Sequence, residues 1–150
     1  MWENSLEKLK IMNYEWSFCS GAGNSKAQKR KPFSRIHFVY PYSNPSVQFN
    51  DFIEICAWLF TEIGHQSDLI SRFDDMDDDP NTVCNKLMLS LRQLDFKSSF
   101  PTQKLRLAHG EAVCSVLDFL TDKALAVKGF KWGVPVYTEA DEVIYCCCIL

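Results

Sequence analysis

Between Phe49 and Ile63 the apolar residues Phe49, Phe52, Ile53, Cys56, Leu59, Phe60 and Ile63 recur at three- and four-residue spacing. On a helix of 3.6 residues per turn they form one continuous stripe. Ala57 and Trp58 widen that stripe, and Gly64 stands where a glycine ends a helix in the left-handed conformation. A helix with so broad an apolar face has to be covered by other elements, so the rest of the chain must supply its neighbours.

Three further helices are predicted. The first starts at Asn4, with Asn4 and Glu7 in capping-box spacing, carries Leu6, Leu9, Met12 and Trp16 on one face, and ends before Gly21. The third follows Asp79-Pro80, the aspartate capping and the proline taking the first helical position, with Val83, Leu87, Leu91 and Leu94 facing inward. The fourth runs from about Gly110 to Lys128, with Val113, Val116, Leu117, Leu120 and Ala124 on its core face and Gly129 as its stop. No segment alternates apolar and polar residues as a half-buried strand does, so the chain reads as an all-α domain.

The connections are long. Residues 20–46 contain Lys26, Lys29, Arg30, Lys31 and Arg35, three prolines and no acid. They read as a solvated loop, with a targeting signal or a patch for an acidic partner as the alternative. Within them Ile36-His37-Phe38-Val39-Tyr40 is apolar enough to pack on the core as an extended segment. Phe130 to Tyr137, an aromatic stretch after the fourth helix, is expected to fold back in the same way. Residues 65–79 end in Asp74, Asp75, Asp77, Asp78 and Asp79. A calcium loop starting at Asp75 would need glycine at Pro80 and glutamate at Lys86, so these acids are read as favouring a helix N-terminus instead.

At 150 residues the chain fits one domain. Its net charge of −3 gives no overall pull toward nucleic acid or anionic lipid. No apolar stretch approaches the ~20 residues of a membrane span. Seven cysteines, without a CxxC pair or zinc-ligand spacing, and an N-terminus without a secretory signal read as a reduced, intracellular chain. His37, His65 and His109 are scattered, no phosphate loop or dinucleotide fingerprint occurs, and His109 and Cys114 are five residues apart, off one helical face. Neither catalysis nor a cofactor is expected; a binding role is. Lys104, Arg106, Lys128 and Lys131 are the candidate basic contacts for an acidic partner.

One set of residues is more specific. Leu6-Glu7-Lys8-Leu9-Lys10, Asn13-Tyr14-Glu15, Lys31-Pro32 and Ser34-Arg35 are followed by Asn44-Pro45, Gln48-Phe49 and Ala57-Trp58-Leu59. Asp78-Asp79-Pro80-Asn81, Leu91-Arg92, Phe100-Pro101 and Lys104-Leu105 continue the series. The densest block holds Gly110-Glu111, Val113-Cys114, Val116-Leu117-Asp118, Ala124-Leu125, Gly129-Phe130, Trp132, Pro135 and Tyr137. In this order and spacing the chain resembles the intraflagellar transport protein 57 (Hippi) family over residues 1 to about 140. The resemblance implies a calponin-homology-like domain, of the divergent kind seen in kinetochore microtubule-attachment proteins, over residues 1–138. It implies a non-enzymatic docking role in the B complex of intraflagellar transport, in support of cilium assembly. The resemblance also implies the large WD-repeat subunit as leading partner, and the cilium, its basal body and the cytoplasm as location. The related folds that bind the cytoskeleton make tubulin binding the alternative.

Family members continue into a long coiled coil. Here residues 139–150 instead form an acidic linker and the apolar run Val143 to Leu150, so a truncated or alternatively spliced product is expected. Cys147-Cys148-Ile149-Leu150 fits a prenylation pattern at Cys147. The acidic residues upstream argue against a stable lipid anchor.

Overall fold

The computed structural model describes residues 1–20, 29–65 and 79–136. Four α-helices, α1 (Trp2–Ile11), α2 (Pro45–Ile63), α3 (Pro80–Gln93) and α4 (Glu111–Val127), are joined by a π-helical turn (Glu15–Cys19) and a 3-10 turn (Thr102–Leu107). Among the described residues there is no strand, and the domain is all-α.

α4 is the axis. Val113, Val116, Leu117, Leu120 and Ala124 are fully buried, and α1 and α2 both pack along it. Ser115 reaches the sulfur of Met1, while Lys8, two turns on, pairs with Asp118 and Asp122; α1 therefore runs parallel to α4. α2 does the same. Its first turn lies beside His109, just before α4, and its last turn places Glu62 2.5 Å from Lys128, just after α4. α3 packs on the 3-10 turn, whose Leu105 joins the core.

The helix ends follow local chemistry. The Asn44 side chain accepts from the N–H groups of Ser46 and Val47, and Pro45 fills the first helical position. Gly64, at φ 79°, closes α2 in the left-handed region as expected. Asp79 accepts from Asn81 N–H and caps α3. The acids Asp74 to Asp78 lie outside the described residues.

Five expectations need correction. α1 starts at Trp2, not Asn4: Trp2 is 2 % exposed and donates its indole N–H to Ser34 O. Asn4 turns to Asp118 and Glu7 to Lys10, so neither caps. α1 also ends at Ile11, because Asn13 adopts φ 58°, a conformation asparagine tolerates. Beyond that break Trp16 points to solvent at 65 % exposure instead of extending the stripe.

Residues 35–39 form turns rather than an extended run. His37 and Phe38 go inward, whereas Ile36, Val39 and Tyr40 stay exposed. Phe38 stacks edge-on against Trp2 at 4.9 Å, and Phe33 contacts Trp2, Tyr14, Phe18 and Phe38. The loop is thus sewn to α1 by aromatic packing. Arg30 is not a solvated charge: it pairs with Asp51 and Glu54 of α2 and lies over the Phe18 ring. Finally, residues 130–136 do not fold back. Phe130 and Trp132 pack on each other at 5.0 Å, and Val134 and Val136 are about 85 % exposed.

Candidate functional site

The chemistry-bearing side chains sort into a buried polar knot and an open cleft beside it. In the knot, His37 shares hydrogen bonds with the Tyr42 hydroxyl at 2.7 Å and the Asp51 carboxylate at 3.1 Å. Asp51 also accepts from Arg30 at 3.2 Å. A His–Asp pair is a familiar catalytic unit, but here both ring nitrogens are occupied and the histidine is buried. Its neighbour Gln48, also buried, donates to the carbonyls of His37 and Tyr40 and accepts from Tyr42 N–H. The knot therefore fixes the path of residues 37–42.

The described cysteines are no more reactive. Burial pushes the Cys19 and Cys84 thiols up to about 11 and Cys56 well above its usual range, and it also raises Cys114. Thiols held neutral are poor nucleophiles. Cys114 donates to Phe38 O and His109 shares a hydrogen bond with Leu107 O, so no dyad links them. No group of metal ligands occurs among the described residues. None of their helices is long and apolar enough to cross a membrane.

A cleft of about 370 Å³ opens at the pole where α2 and α4 begin. Pro41 and Pro45 form one wall, and Gln103, Arg106, Leu107 and His109 the other. Gln48 lies at its base. Periodicity had no means of finding this feature, because its walls, the entry to α2 and the 3-10 turn, stand about 60 residues apart in sequence; only Arg106 stood among the expected contacts.

The four expected basic contacts do not gather in one place. Lys104 and Arg106 sit exposed on the 3-10 turn, with Arg106 on the cleft. Lys128 is at the far end of α4, paired with Glu62, and Lys131 follows it in the exposed 130–136 segment. Gln48 and Glu62, which mark these two places on α2, are separated by roughly 20 Å at the helical rise. Cys147 and the rest of residues 139–150 lie outside the described residues.

A family model described as intra-flagellar transport protein 57 matches residues 2–145. The chain is similar to the intraflagellar transport protein 57 homolog of Danio rerio, 38 % identical over 142 residues that cover 93 % of this chain and 32 % of that protein. The Homo sapiens homolog is 35 % identical over 135 residues, covering 90 % and 29 %. Intraflagellar transport protein che-13 of Caenorhabditis elegans is 30 % identical over 131 residues, covering 87 % and 29 %. The chain thus spans about 30 % of the length of the curated relatives it matches.

Proposed function

The chain belongs to the intraflagellar transport protein 57 family, and we propose that it acts as a non-enzymatic docking domain of an intraflagellar transport B-complex subunit, in support of cilium assembly. The observation that carries this reading is the family match over residues 2–145, laid on a helical domain in which His37, Cys19, Cys56, Cys84 and Cys114 are buried. In this reading residues 1–138 are a calponin-homology-like domain, and residues 139–150 are a tail outside it. Its partner is another subunit of the transport train, the large WD-repeat subunit first, and its place is the cilium, the basal body and the cytoplasm. Tubulin binding is the weaker reading. Lys104 and Arg106 stand at one pole and Lys128 at the other, so the candidate cations offer no single basic face to an acidic tail.

Affinity purification of the tagged full chain from ciliated cells, read by mass spectrometry, is the test. Enrichment of transport-train subunits above a tag-only control is expected. Recovery no greater than that control overturns the reading.

A further inference from the structure

The cleft between residues 41–48 and 103–109 has features that specify an occupant. Its walls carry an apolar part, Pro41, Pro45 and Leu107, the last 55 % exposed, beside the polar Gln103 and His109, with Tyr40 and Tyr42 exposed on either side of Pro41. One wall is preformed, because Gln48 ties His37, Tyr40 and Tyr42 together from beneath. Binding there does not have to order the loop first, which lowers its entropic cost.

The charge at the rim is one-sided. Lys8, Lys10, Arg30, Arg35 and Lys128 each have a carboxylate partner. Arg106 and Lys104 have none among the described residues, and no acidic side chain lines the cleft. A guanidinium with no carboxylate partner among the described residues, beside the apolar Pro41, Pro45 and Leu107, matches a carboxylate carried next to an aliphatic side chain. A bare phosphate would use the arginine and leave Pro41, Pro45 and Leu107 uncovered. A nucleic acid would meet a chain of net charge −3.

We infer that this cleft is the seat of an extended, acidic segment of a partner protein, which inserts an aliphatic side chain between Pro41, Pro45 and Leu107 and sets a carboxylate on Arg106. The inference rests on the docking reading above and adds to it the place of contact and the chemistry of the partner.

The test is site-specific photo-crosslinking. A benzoylphenylalanine replaces Leu107, an exposed position, in the full chain expressed in ciliated cells. Mass spectrometry should find the crosslink in one segment of a transport-train subunit, with net negative charge and an aliphatic residue. Arg106→Glu should cut its yield by about tenfold or more, because it leaves the incoming carboxylate facing a like charge. Lys10→Glu, the same charge change on an exposed α1 residue, should leave the yield unchanged. A crosslink that survives Arg106→Glu, one to a neutral or basic segment, one to a second copy of this chain, or none at all overturns the inference. Affinity purification run in parallel separates the two failures. Train subunits recovered without the acidic crosslink sink the cleft and leave the docking reading standing. Recovery of neither sinks both.

Discussion

The ammonium of Lys8 lies 2.8 Å from the carboxylate of Asp118 across the α1–α4 contact. Asp122 approaches the same ammonium at 2.7 Å, and Asp118 also accepts from Asn4 and Ser5. Lys8 is only 4 % exposed, so this cation is held by two acids at the edge of the core.

Replacing Lys8 by Met leaves the two carboxylates facing each other beside an apolar group. A loss of about 1–3 kcal/mol at neutral pH is expected, read as a lower urea midpoint. Burial alone would lower the Lys8 pKa, but the hydrogen bonds and attraction of Asp118 and Asp122 outweigh it, and the net direction is up. A cation whose pKa is raised on folding stabilises fully below the unfolded value, about 10.4, and loses that contribution as the pH rises through the folded one. The gap between wild type and Lys8→Met should therefore narrow above about pH 10.4.

Tyr14 is fully buried, and its hydroxyl accepts from Phe33 N–H at 3.1 Å. Tyr14→Phe strands that donor, at an expected cost of about 1–2 kcal/mol near neutral pH. Burial pushes the phenol up to about 12, with smaller upward pushes from Cys19 and Glu15 against the downward pull of the Phe33 bond. The unfolded chain releases this proton near pH 10, so wild-type stability falls between about pH 10 and 12. Tyr14→Phe should show a shallower fall in that window.

Within the 35–39 turns the three apolar positions should behave differently. Phe38→Ala is expected to cost about 3–5 kcal/mol, because a ring packed on Trp2 and Phe52 leaves a cavity. Ile36→Ala and Val39→Ala should stay within about 0.5 kcal/mol, since both side chains are exposed. Similar losses at all three positions would mean the segment packs as one extended run.

Asp79→Ala removes the side-chain acceptor of the α3 cap and should cost about 1 kcal/mol in thermal unfolding. Asn44→Ala should cost a similar amount at α2. Excess calcium should leave the wild-type Tm unchanged, because the acids before Pro80 lack the spacing of a calcium loop.

The legible parts of the fold are those where one period runs long enough to dominate. α2 and α4 carry five or more apolar positions on one face, and α3 is announced by Asp79-Pro80; none of the three needs distant information. The start of α1 misleads, because Asn4 and Glu7 have capping spacing but the burial of Trp2 and the pull of Asp118 decide the boundary. Asn13 carries no mark that it turns left-handed. The 130–136 segment reads as core because aromatic composition does not reveal whether a partner surface exists. Of the cleft, Arg106 was visible as a charge, whereas Pro41, Pro45 and His109 acquire meaning only when the parallel packing of α2 and α4 brings their starts together.

That parallel packing also sets how the domain would carry load. The cleft is at the pole where α2 and α4 begin, and the chain leaves the core from the opposite pole, after Gly129. Tension between an occupant of the cleft and the chain beyond residue 136 is directed along the axis of α4. The α1 and α2 contacts then resist together as a lap joint in shear, with Lys8–Asp118 and Glu62–Lys128 as rivets along its length. A pull applied across α4 instead would open the same contacts one after another, so the domain is stiffest in the direction that joins its two poles.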